Sequence, residues 1–186
     1  MSPRLVNFVA FQAVWFASLL GATRGRPEIG LLVLAGALVV HAALRRHRWR
    51  GDLVLLAVAG LAGYLADSAL TLAGVIGFPP EAAWGGPSPL WMVGLWVNFA
   101  TTLRLSLAWL VPRPGLAATL GLVAGPIAYG AGARMGAIEL PAGVAAGLLA
   151  VAAEYAIALP LLGWVAARTT PDAPRPANAA ATEVVT

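Results

Sequence analysis

The chain has 186 residues, 60% of them hydrophobic and 11% charged, with mean hydropathy +0.81. Soluble domains carry about 25% charged residues, so a water-soluble fold would lack the polar material to cover itself, and the absence of cysteine excludes a disulfide framework, a thiolate metal site and a cysteine nucleophile. The net charge of +4 and pI near 10.7 come from arginines set beside apolar runs, which is the signature of membrane topology and not of nucleic-acid binding.

Six apolar spans follow one another. Span 1 covers residues 5–22 and is interrupted by Asn7 and Gln12; no cleavage site followed by a soluble domain succeeds it, so it reads as a retained first helix. Span 2, residues 29–44, is short and ends near His41 in a charge block of Arg45, Arg46, His47, Arg48, Arg50 and Asp52. Span 3, residues 53–77, is long enough to tilt or to finish in a bend. Residues 78–89 contain four prolines and two glycines and read as an irregular loop, with Trp84 and Trp91 expected at the headgroup level. Span 4, residues 90–111, is apolar at both ends and polar in its middle. Span 5 covers residues 115–136 and span 6 residues 141–167, with Pro141 placed in its first turn. The expected organisation is one transmembrane domain over residues 1–168 and a disordered, proline-rich tail over residues 169–186.

The fold class is therefore all-α: a polytopic membrane bundle of about six helices. More arginines fall on the side of the termini than on the other, which puts both termini in the cytoplasm. Heavy use of Ala, Gly, Arg and Pro points to a bacterial chain, and hence to the inner membrane as its multi-pass location.

The informative feature is a polar centre. Span 4 carries Asn98, Thr101, Thr102, Arg104 and Ser106; spans 3 and 6 carry Asp67 and Glu154. A charge at mid-bilayer costs about 2.5–3.5 kcal/mol on insertion scales, so these groups must face the bundle interior or a wet cavity. On a helical rise of ~1.5 Å per residue, Asp67, Asn98 and Glu154 lie roughly 20 Å from the cytoplasmic end, and Arg104 and Gln12 about 10 Å from it. Side chains on a helix lean toward its N-terminus, so Arg104 is expected to reach up and pair with Asp67, with Glu154 beside them. Tyr129, one turn after Gly125-Pro126, joins the same layer if the proline opens a kink. Asn98, Thr101 and Thr102 share one face and either line a cavity or bond across helices. Gly121-xxx-Gly125, Gly132-xxx-Gly136 and Gly143-xxx-Gly147 read as faces for close helix contact. No metal site and no cofactor is expected, since the chain has no HExxH, phosphate loop or nucleophile elbow.

Taken together, N-F-x-x-F-Q-A-x-W-F from Asn7 to Phe16, A-D-S from Ala66 to Ser68, N-F-A-T-T-L-R from Asn98 to Arg104, G-P-I-A-Y-x-x-G-A-R-M-G from Gly125 to Gly136, and the acid at Glu154 resemble an uncharacterised family of small bacterial inner-membrane proteins, a domain of unknown function. The resemblance spans about residues 4–167. It implies a multi-span membrane protein with no established activity, and a gene context of cyclopropane-fatty-acyl synthase-like and flavin oxidoreductase genes that favours membrane-lipid modification or a response to damage.

Three functions stay open on the sequence. In the first, Asp67, Arg104 and Glu154 form a bilayer-facing site for lipid binding or modification, with membrane lipid as the partner and Arg104 on a head group. In the second, the chain is a small-molecule binding or transport subunit, similar in size to the substrate-capturing subunits of vitamin transporters, and docks another membrane protein on Ala13-xxx-Ala17. In the third, it is a structural or assembly protein whose ion pair holds the bundle. Whether it is an enzyme, and its oligomeric state, are left open.

Overall fold

The computed structural model describes residues 1–46 and 48–169 of the chain. His47 and the expected tail from residue 170 onward lie outside the described residues. Among the described residues there are six α-helices: α1 (Pro3–Ala22), α2 (Glu28–Leu44), α3 (Trp49–Leu72), α4 (Leu90–Thr102), α5 (Pro114–Met135) and α6 (Val144–Arg168). Four of them, α1, α3, α5 and α6, are long and apolar enough to cross a membrane; α2 is shorter and equally apolar. Large apolar side chains lie on the outside of the bundle, among them Leu32, Val39, Leu61, Leu65, Ile127 and Leu149. In water this surface would drive aggregation; in a bilayer it is the lipid-facing wall.

The helices sort into two bodies. In the first, α4 packs against α1, α2 and α3, and α1 packs on α2. The second is the α5–α6 hairpin, the closest helix pair of the protein. Its intimacy comes from small residues: a Cβ added at Gly121 would lie 2.3 Å from the Tyr155 carbonyl oxygen, and one at Gly125 would lie 2.6 Å from the Tyr155 ring. Gly121-xxx-Gly125 is thus a true contact face. Pro126 sits inside α5 without ending the helix. The hairpin joins the first body chiefly where α6 lies along α3.

Several boundaries differ from the sequence expectation. The third span begins earlier, at Trp49, and ends at Leu72, so Asp52 is a buried residue of the first turn of α3 and not a loop charge. An acid is favoured there by the helix dipole. Trp91 is 1% exposed and packs inside the bundle: its Nε1 donates to the Ala82 carbonyl, 3.0 Å away, and its ring packs edge-on against Phe78. Residues 78–89 are accordingly folded onto the bundle, with a 3-10 turn at Pro80–Ala82. Span 6 starts at Val144, because Gly143 turns the chain at φ 91° just before it; Pro141 lies outside the helix.

The largest difference concerns span 4. Helix α4 stops after 13 residues, at Thr102. That is roughly 20 Å of helix, against a hydrocarbon core of about 30 Å. The chain then passes through turns at residues 103–107 into a 3-10 turn, Ala108–Leu110. The hydroxyls of Thr101 and Thr102 donate to the carbonyls of Asn98 (2.7 Å) and Phe99 (2.6 Å). Asn7 of α1 completes the break: its Nδ2 donates to Thr101 Oγ1 (3.0 Å), and its Oδ1 accepts from the backbone N–H (3.2 Å) and the hydroxyl (2.6 Å) of Ser106. Irregular backbone at membrane depth is tolerated when protein groups satisfy it.

Candidate functional site

The ionisable groups form two separate clusters, not one. The first lies where both described chain ends meet. Asp52 on α3 accepts from Arg45 at the end of α2 through two bonds, one of them Arg45 Nη2 to Oδ1 at 2.9 Å and the other from Arg45 Nε to Oδ2. It pairs with Arg104 (Nε–Oδ1 3.0 Å) and with His41 of α2 (Nε2–Oδ2 3.2 Å). Arg104 also donates to the carbonyls of Ala166 (2.6 Å) and Gly51 (3.1 Å) and to the Thr169 hydroxyl (2.5 Å). Its guanidinium thus ties the turn after α4 to the start of α3 and the end of α6. At the end of α6 it meets the Ala166 carbonyl, at the negative end of the helix dipole, where a cation is favoured.

The expected Arg104–Asp67 pair is therefore wrong. Because α4 ends at Thr102, Arg104 leaves the helix in the turns that follow, at the level of Asp52, which lies roughly 22 Å along α3 from Asp67. The depth of about 10 Å that rise per residue gives Arg104 was the usable signal; it matches Asp52, which the sequence reading assigned to the loop.

The second cluster surrounds Asp67, which is 0% exposed on α3. Its two oxygens take two neutral donors. Trp96 Nε1 of α4 donates to Oδ2 at 2.8 Å, and the Tyr129 hydroxyl of α5 donates to Oδ1. Trp96 reaches Asp67 because Gly63, one turn earlier on α3, leaves room for the indole: a Cβ there would fall 2.0 Å from the ring. Tyr155 of α6 closes the group, its ring 4.8 Å from that of Trp96 and 5.8 Å, edge-on, from that of Tyr129. Asp67 is thus the acceptor that draws α4 and α5, one from each body, onto α3. Glu154 of α6 lies within electrostatic range of it, yet neither Glu154 carboxyl oxygen, both buried, has a hydrogen-bond partner among the described residues.

The remaining polar residues of span 4 serve the α1–α4 contact. Asn98 Nδ2 donates to the Phe11 carbonyl of α1 at 3.0 Å, Thr101 meets Asn7, and Thr102 caps its own helix. Of the alternatives open for that face, Asn98 and Thr101 take the cross-helix one. Gln12 is half-buried on α1 and bonds to neither cluster. Sequence reasoning missed Asp52 as the partner of Arg104, Arg45 and His41 as further partners of Asp52, and Trp96 as a donor to Asp67 with Tyr155 packed against its ring. Gly63, spaced four before Asp67, was the one signal for Trp96.

Between the two bodies lies an apolar cavity of about 240 Å³. Phe11 and Trp15 of α1, Leu95 and Trp96 of α4, Tyr129 of α5 and Tyr155 of α6 contribute to its wall. Two of these, Trp96 and Tyr129, are the donors to Asp67, so the acid sits directly behind the cavity wall.

Residues 4–161 match the family described as "Protein of unknown function (DUF2878)". The chain belongs to this family. The DUF2878 match covers Asn7, Asp52, Asp67, Trp96, Arg104, Tyr129 and Glu154, and hence both acid clusters apart from Ala166 and Thr169. It bears out the resemblance drawn from the sequence motifs and carries no assigned activity. No curated protein and no solved structure matches the chain.

Proposed function

We propose that this DUF2878 protein binds membrane lipid, holding an acyl chain in the cavity between the α1–α4 body and the α5–α6 hairpin. The observation that carries the reading is the cavity itself: an apolar space of about 240 Å³, walled largely by aromatic and aliphatic side chains, inside a bundle whose outer surface is apolar. Apolar cavities do not hold water, which needs two to four polar partners. The molecule that competes for such a space within a bilayer is a hydrocarbon chain. The aromatic wall supplies contact area, and the indole and phenol edges bound to Asp67 fix its shape.

Arg104 has no part in holding the ligand. Its guanidinium is committed to Asp52, two carbonyls and Thr169, so the head-group role considered for it from the sequence loses its support. A transport reading has less to stand on, because the cavity wall offers no charged side chain to a polar substrate. Arginine distribution and composition support placement in a bacterial inner membrane with both termini cytoplasmic.

The test is mass spectrometry of the protein purified in native lipid particles, wild type beside Ala128→Trp, which fills the cavity from α5. The expected result is a distinct lipid retained by the wild type and lost from the variant, with thermal unfolding of the two proteins similar. The same bulk lipids in both, at the same proportions, overturn the reading.

A further inference from the structure

The two ends of the bundle differ in how their charges are met. At the end fastened by Asp52, six arginines lie exposed: Arg4, Arg46, Arg48, Arg50, Arg113 and Arg168. No exposed acid accompanies them among the described residues, since Asp52 is buried and already shared by Arg45 and Arg104. At the opposite end Arg24, Arg26 and Arg134 are matched by Glu28, Glu81 and Glu139, and Arg26 pairs with Glu28 at 3.0 Å. Membrane topology accounts for arginines on one side. It does not account for what three of these side chains do.

Arg50 lies over the ring of Trp49, Arg113 over Trp109 and Arg168 over Trp164, at 5.5, 6.0 and 4.9 Å from the ring centroids. The three indoles are themselves exposed, by 52%, 48% and 57%. They come from the start of α3, the 3-10 turn after α4 and the end of α6, the segments that Arg104 ties together. A ring face holds a guanidinium by cation–π attraction and leaves its N–H edge clear. Arg113 gives one of those N–H groups to the Trp109 carbonyl, which fixes it further. An exposed indole settles at the headgroup level of a bilayer, so each pair carries a positioned guanidinium to the depth of lipid phosphates. The planar fork of a guanidinium matches phosphate oxygens two at a time.

We infer that this rim is a binding surface for anionic phospholipid, whose phosphate groups are held by the arginines stacked on Trp49, Trp109 and Trp164. Net negative charge decides the class of lipid: a zwitterionic head group brings an ammonium that the surrounding arginines repel, whereas clustered arginines beside membrane spans attract anionic head groups. The early stop of α4 adds a recess at the same rim, a cleft of about 520 Å³ between the start of α1 and the turn after α4, with Arg4 in its wall. The inference concerns head groups at one rim and does not rest on a chain in the inner cavity.

The experiment reconstitutes the full-length protein in bilayers of equal parts phosphatidylglycerol and phosphatidylcholine, releases it in mild detergent, and counts retained lipids by native mass spectrometry. The expected result is severalfold more phosphatidylglycerol than phosphatidylcholine, less so as salt is raised. The excess should vanish in Arg50→Gln/Arg113→Gln/Arg168→Gln and persist in Arg24→Gln/Arg26→Gln/Arg134→Gln, which removes the same charge from the opposite end. It should also fall in Trp49→Leu/Trp109→Leu/Trp164→Leu, which keeps every arginine. Circular dichroism checks that each variant is folded; where a triple variant is not, Arg168→Gln, at the closest pair, should show part of the same fall. Equal retention of the two lipids by the wild type overturns the inference. So does an excess lowered equally by both arginine triples, or one untouched by loss of the indoles, since net charge alone would then explain it.

Discussion

The two acid clusters solve the same problem in opposite ways. At the arginine-rich end, Asp52 is buried against Arg45, Arg104 and His41, and Arg104 spends its other donors on carbonyls of α3 and α6. In the middle of the bundle Asp67 is met only by neutral donors, and Glu154 by none among the described residues. A cluster whose acid is met by its own counter-charges fastens helix ends. A cluster short of donors, behind the wall of an apolar cavity, keeps hydrogen-bonding capacity that no described residue uses. Both clusters join helices, the first through charges at the helix ends and the second through neutral donors behind the cavity wall.

The sharpest way to break this comparison is to remove Asp52. Asp52→Ala leaves two arginines and a histidine facing one another without their shared acceptor, and breaking a buried pair in this way costs about 3–5 kcal/mol. Reversible unfolding in mixed micelles, followed by circular dichroism, should show a loss of that size. A change below ~1 kcal/mol would mean that the cluster is solvated and fastens nothing.

A double-mutant cycle comes next in size. Arg104→Ala combined with Asp52→Ala should show a coupling of roughly 0.5–3 kcal/mol, whereas Arg104→Ala with Asp67→Ala should be additive within about 0.5 kcal/mol. Coupling in the second cycle would merge the two clusters into one and remove the distinction drawn here.

The smallest effect is expected at Glu154. Glu154→Leu removes no hydrogen bond seen among the described residues and replaces a polar group with an apolar one of similar bulk, so unfolding free energy should stay within about 1 kcal/mol of wild type or rise. A large destabilisation would show that Glu154 has a structural partner and place it with Asp52.

Much of this was legible in the sequence. The apolar runs locate all six helices, because burial in lipid selects continuous hydrophobicity over residues that local backbone bonds can fold alone. Glycine spacing marked the α5–α6 contact through Gly121 and Gly125. Asp67, Tyr129 and Arg104 were singled out as buried polar residues, and each is buried. What failed was the pairing. Span 4 was read as one helix because its hydropathy is continuous, yet hydropathy does not report the hydroxyls of Thr101 and Thr102 or the amide of Asn7, which end α4 and support its broken backbone.

The sequence by itself determined that the chain is a helical membrane protein, roughly where its helices lie, and which few polar residues must be hidden from lipid. These are local consequences of hydrophobicity and helix geometry. Only the tertiary structure decided that Arg104 belongs to Asp52, that Trp96 and Tyr129 belong to Asp67, and that Glu154 has no hydrogen-bond partner among the described residues. Partners in a buried network are chosen by where helices stop and how closely they approach, and those distances are set by contacts between residues up to 99 positions apart in the chain, as Asn7 and Ser106 are.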